Sequence, residues 1–202
     1  MEVARIRATR TDLERLKKDA EALCRQALEE GAKDARVIPC RDLRFRKAKR
    51  TGGGRTQAGA KPSLHWPSPA YPLDSLREGL GRYRLAVVFR LEPEGSGPEK
   101  DKEALERLYR LVSRLESACF YKGYHLALGL ASGNCRDVFC SSERRCQAMI
   151  KGKPCLHPNK ARPSIEACGL DPAVLAASLE PGRGAKKGRQ ASPGLLGMVF
   201  VD

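Results

Sequence analysis

The chain has 202 residues, with 38 Lys and Arg against 24 Asp and Glu, a formal net charge of +14 and a pI near 9.7. That length suits one domain, 1–202, with its own core, and no run approaches the roughly 18 apolar residues of a membrane span. The N-terminal MEVARIRATRTDLERLKK has no apolar h-region and mixes acids with its bases, unlike a signal or transit peptide, so a cytoplasmic protein is expected.

The first element is a helix. Thr11 and Glu14 form a capping box, Leu13, Leu16, Ala20, Leu23, Ala27 and Leu28 fall on one face, and Gly31 is placed to end it. Cys24 beside that face reads as a core thiol. Ala35 to Pro39 reads as a strand that delivers Cys40 to its end. Residues 44–63 are basic and glycine-rich, as are 181–194; both are read as flexible insertions or, alternatively, arms for a polyanion. Neither contains a phosphate-binding glycine fingerprint. A proline-rich stretch around Trp66 precedes a short helix with Leu73, Leu76, Leu80 and Tyr83 at helical spacing. RLAVVFRLE is a strand. Pro98 opens a long helix striped by Leu105, Leu108, Val112, Leu115 and Cys119, so Cys119 reads as core. Gly123 closes it, and YHLALGLA forms a third strand. ARPSIEACGLD reads as a further helix with Gly169 at its C-cap, Asp171-Pro172 starts another, and LLGMVFVD is the final strand. Strands alternating with helices predict an α/β or α+β fold with a sheet of about four strands.

The third strand runs into a crowded stretch, 131–171, that carries Cys135, Cys140, Cys146 and Cys155, half of the chain's eight cysteines. The residues between them are polar and charged, so the stretch cannot fold by burying itself. A metal or cluster bound by thiolates would replace the missing hydrophobic drive. Disulfides or unligated thiols are the alternatives, and a cytosolic setting favours metal. The gaps of four, five and eight residues contain no CxxC pair, which suits a 4Fe–4S cluster better than zinc, although the usual ferredoxin spacing is absent too. Cys40 and His157 are reserve ligands, His157 having a plain loop reading beside it. Arg162 and Ser164 are candidates for stabilising an anionic centre, Ser164 through the N-terminus of its expected helix, and plain helix capping is the alternative. Lys151, Lys153, Arg144 and Arg145 surround the cluster and suit an acidic redox partner such as a ferredoxin or flavoprotein, or form a solvated basic loop. Nucleic acid is a second polyanion for so basic a chain, but aromatics make up only 5% and are not interleaved with the basic runs. No Cys-His or paired-carboxylate motif assigns a reaction.

The segment GYHLALGLASGNC, the cysteine run and CLHPNKARPSIEACGLD resemble a family of predicted metal-binding proteins grouped as domain of unknown function 2284. Cys155, Pro158, Ala161, Arg162, Pro163, Ser164, Glu166, Ala167, Gly169 and Asp171 follow the family's C-x-x-P-x-x-A-R-P-S-x-E-A-x-G-x-D signature. The resemblance implies metal binding, over most of the chain, in a family found mostly in anaerobes; it supplies no reaction. Many members carry further cysteines near a CPP stretch where Trp66, Pro67, Ser68 and Pro69 stand here, so a second site of relatives is expected to be lost. The combined expectation is a metal-binding protein with one 4Fe–4S cluster in a redox or accessory role. The alternative is a zinc-stabilised module that contacts nucleic acid or another polyanion through its basic loops.

Overall fold

The structure, a computed structural model, describes residues 10–45, 63–65, 73–180 and 194–202. Most of both basic insertions, the Trp66–Pro69 stretch and the Thr11 side chain lie outside the described residues.

Helix α1 (Arg10–Glu29) is followed by strand β1 (Asp34–Pro39), helix α2 (Leu73–Gly81), strand β2 (Leu85–Leu91), helix α3 (Pro98–Tyr121), strand β3 (Leu128–Ala131), the one-turn helix α4 (Cys135–Phe139), helix α5 (Pro172–Leu179) and strand β4 (Leu195–Val201). The local rules are visible in these elements. Pro98 begins α3, where its missing N–H costs no helical hydrogen bond. Asp171 accepts the Ala173 N–H at 3.0 Å to cap α5. β2 is buried almost along its whole length, as a strand covered on both faces must be.

The strands form one sheet in the order β1-β2-β4-β3, and every neighbouring pair is antiparallel. The fold is therefore α+β. β2 and β3 run the same way, joined over α3, with β4 between them, a split βαβ unit. On one face α1 and α3 cover Val87, Phe89, Val199 and Val201. On the other, α5 and residues 165–170 cover Ala86, Val88, Met198 and Phe200. Burying a side chain such as Leu108 or Leu115 is worth about 1.5–3 kcal/mol, so α3 is firmly held. It sits close to the sheet because the strands beneath it carry small residues. A Cβ at Gly129 would lie 2.5 Å from Val112 Cγ1, and one at Gly197 3.0 Å from Val112 Cγ2. This close docking fixes the end of β3, where the cysteine segment begins.

Three expectations change. Leu13 and Leu28 are 36% and 45% exposed, so the buried stripe of α1 is the narrower Leu16, Ala20, Leu23 and Ala27. β3 starts at Leu128, the residues before it forming a turn closed by Ala127 N–H to Tyr124 O at 3.1 Å. The ARPSIEACGLD segment is not a helix. Residue Ser164 instead forms a parallel bridge to Ala131, with Ala131 N–H donating to Pro163 O and Ile165 N–H to Ala131 O, both at 3.1 Å. The segment covers the outer edge of β3, which would otherwise present unpaired backbone groups. The helix N-terminus expected at Ser164 is therefore absent.

Candidate metal centre

The site grows from the end of β3. Ser132 anchors the strand's exit to β4: its N–H donates to Leu196 O at 2.8 Å and its Oγ accepts the Leu196 N–H at 3.1 Å. Gly133 then takes φ +80° with Leu105 close beneath it, a turn that disfavours any other residue. Its N–H donates to Glu166 Oε2 at 3.3 Å and its carbonyl accepts the Tyr109 hydroxyl at 3.2 Å. Asn134 Oδ1 accepts the Arg136 N–H at 3.1 Å and starts α4. The outcome is Cys135 held at a fixed point, 6% exposed, on the first residue of α4.

Cys140, Cys146 and Cys155 come back to this point from the loop that follows, and all four thiols line one pocket. Cys140 ends α4, its N–H donating to Arg136 O at 3.1 Å. Cys146 leads a single 3-10 turn, accepting the Met149 N–H at 3.1 Å. Cys155 Sγ accepts the His157 N–H at 3.4 Å. Burial pushes the Cys135 thiol up to about 11, with the Ser63 hydroxyl working against the rise and the three neighbouring thiols adding to it. Burial also raises Cys140, again with Cys155 and Cys146 contributing. Thiols that raise one another in this way oppose simultaneous ionisation unless a cation compensates.

One residue and one short segment that sequence reasoning missed shape the pocket. Arg136 is 3% exposed, lines the pocket, donates from Nη2 to Glu143 O at 2.6 Å and lowers the Cys140 thiol. Its signal was its place inside an Asn-led cap next to the first cysteine. The other contribution is Ser63 to His65. Cys135 Sγ lies 3.9 Å from Ser63 Oγ, Leu64 and His65 line the pocket, and burial lowers the His65 pKa, with Arg162 reinforcing it. Nothing local in the sequence indicated that this segment returns to the cysteines.

The remaining candidates divide. His157 lines the pocket, and its ring lies 5.4 Å from that of Phe139. Cys40 is buried among Leu43, Leu80 and Phe200 on the opposite side of the sheet, where burial raises it to about 12; the structure does not bring it to the pocket. Arg162 directs its guanidinium to Glu116, with Nε 2.6 Å from Oε2, and to the Ala161 carbonyl at 2.9 Å. Glu116 in turn accepts the Gly129 N–H at 2.9 Å, so Arg162 ties the signature segment to α3 and β3. Ser164 Oγ donates to Glu166 Oε2 at 2.5 Å, the same oxygen that holds Gly133. Both residues thus set the frame around the pocket, and neither lines it.

The donor set fits a soft metal or cluster. Four thiols and two imidazoles line the pocket, with no carboxylate among its described residues, which disfavours calcium and magnesium. Among the described residues, no three His, Cys, Asp or Glu side chains stand close enough together to hold a single ion. A wider groove of about 430 Å³ shares Phe139 with the pocket but carries no cysteine.

An α+β sheet with a thiol-lined pocket at the end of an edge strand defines the class structurally. A family model matches residues 64–201, and the chain belongs to that family, described as "Predicted metal-binding protein (DUF2284)". The match takes in all four pocket cysteines and leaves out α1, β1 and Cys40. No curated protein matches the chain, and no solved structure does. Among the described residues no helix is long and apolar enough to cross a membrane.

Proposed function

We propose that Cys135, Cys140, Cys146 and Cys155 hold one 4Fe–4S cluster and that the protein serves as an electron-transfer or redox accessory protein. The observation that carries this reading is the convergence of the four thiols on one pocket that has no carboxylate among its described residues. They reach it from sequence gaps of four, five and eight residues with no CxxC pair, a pattern that suits a cluster better than the paired cysteines of a zinc site. Such a cluster, when bound, stores and passes single electrons.

The chain's own residues supply the rest. Arg136 places a buried positive charge against an anionic, thiolate-rich centre. The His157 N–H donates to the Cys155 sulfur, the kind of contact that raises a reduction potential. Phe139, Leu156 and Ala161 wall the pocket with apolar surface and limit water. Four thiolates would saturate the four irons, which leaves no open iron for a substrate.

The test is iron, zinc and acid-labile sulfide analysis with a visible spectrum on protein purified without oxygen. About four iron and four sulfide per chain, with broad absorption bleached by dithionite, is the expected result. About one zinc and no colour would overturn it and leave a structural metal site.

A further inference from the structure

The loop that carries Cys146 and Cys155 combines exposed apolar side chains with exposed cations on its outer surface. Met149, Ile150 and Leu156 are 47%, 36% and 53% exposed. They are large apolar side chains in a stretch without apolar need, since the core lies elsewhere. In the same loop Arg144, Arg145, Lys151 and Lys153 are all exposed. Residues 141–160 contain five Lys or Arg and a single acid, Glu143. Along α3, by contrast, Arg107, Arg110 and Arg114 pair with Glu94, Glu106 and Glu30. Among the described residues the four loop cations form no ion pair. The inner side of the same loop, through Gln147, Ala148 and Leu156, is a wall of the thiol pocket.

We infer that this outer face, Met149, Ile150 and Leu156 ringed by Arg144, Arg145, Lys151 and Lys153, is the docking surface for an acidic electron-carrier protein. The inference rests on the proposed redox role and adds the place where the partner sits. An apolar centre with an unpaired charged rim is the anatomy of a transient protein interface. The rim steers an oppositely charged partner and the centre holds it. Leu156 belongs both to the exposed patch and to the pocket wall, so a partner seated there is separated from the thiols by one layer of side chains. A polyanion such as RNA would use the cations alone and has no need of Met149 and Ile150.

The probe is a small acidic plant-type ferredoxin, titrated against the full metal-loaded chain at low and high salt. Binding that weakens steeply with salt is expected. The fourfold charge reversal of Arg144, Arg145, Lys151 and Lys153 to Glu should weaken it at least tenfold and remove the salt dependence. The pair Met149→Ser and Ile150→Ser should weaken it severalfold while leaving the salt dependence in place. Metal and sulfide content of each variant is measured first. Wild-type binding that both sets of substitutions leave unchanged would overturn the docking surface even where the cluster is fully present. A chain loaded with zinc instead would overturn the redox role, and binding of the ferredoxin by that form still decides the surface. A duplex RNA that binds more tightly than the ferredoxin, with no effect of the serine pair, would also overturn it.

Discussion

The eight cysteines fall into two sets of four with the same chemistry and different surroundings, although Cys135 of the pocket set also packs into the layer beneath α1 and α3. Cys24, Cys40, Cys119 and Cys168 lie in or against the two apolar layers. Burial raises Cys40, Cys119 and Cys168 to about 12 and Cys24 to about 11. Cys135, Cys140, Cys146 and Cys155 sit on a short helix and a loop around one pocket, beside a buried arginine. The first set fills space in a core that would stand with alanine or valine in its place. The second occupies a stretch that buries little apolar surface beyond Val138 and Phe139, so whatever it binds contributes to holding the loop. Only the second set lies wholly within the residues that match the family.

The strongest way to break the comparison is to change one cysteine at a time. Ser at Cys135, Cys140, Cys146 or Cys155 should remove most of the bound metal, read by metal analysis; Ser at Cys119 should leave the metal content at the wild-type level. Equal metal loss in the two groups would erase the distinction. A thiol probe sharpens it next. A thiol raised from 9.0 to about 12 has about a thousandfold less thiolate at pH 8. Iodoacetamide should therefore leave Cys40, Cys119 and Cys168 unlabelled in the folded, metal-free chain for as long as the fold persists, read by peptide mass. The energetic cost is smaller. Cys119→Ser places a hydroxyl in an apolar layer and should destabilise the fold by about 2 kcal/mol, measured in urea.

The smallest expected effect concerns the polar pin beside Cys119. Asp19 accepts from Lys122 at 2.9 Å and from the Tyr124 hydroxyl at 2.8 Å. Burial pushes the Asp19 pKa up, but these hydrogen bonds and charges outweigh it and leave the carboxyl below its ordinary 3.8. Its contribution is present above pH 3.8 and fades as pH falls through the lower folded value. Asp19→Asn should cost at most about 1 kcal/mol at pH 7, with no difference from wild type once both are studied in acid. A difference that persists in acid would show that the pin acts by packing alone.

Local patterns predicted most of the frame. The stripe of α3 and the unbroken apolar run of β2 were legible because burial imposes a period on the side chains. The cap at Asp171 was legible because a helix start needs an acceptor. Cys119 could be assigned to the core from its place on that stripe, and the four clustered cysteines were legible as a set from the polarity between them. Long-range pairing was not legible. Nothing near β4 says that it inserts between β2 and β3 and makes the sheet antiparallel. Residues 161–170 looked helical because Ser164 and Gly169 imitate helix-end signals, while the backbone of Pro163 and Ile165, on either side of Ser164, bonds the edge of β3. Ser63 to His65 reach the pocket across more than sixty residues of chain, a closure that no window of sequence records.

The position of β4 has a consequence for the order of assembly. It is the last strand in the chain, yet it lies second from the edge of the sheet and is the neighbour that both β2 and β3 require. A ribosome releases residues 135–155 well before it releases 195–201. During that interval β1 and β2 can pair, but β3 lacks its neighbouring strand, and the anchor of Ser132 to Leu196 that precedes Cys135 is missing. The thiols are therefore synthesised early and aligned late. A nascent chain stalled before residue 195 would present the four thiols beside a β3 that still lacks β4.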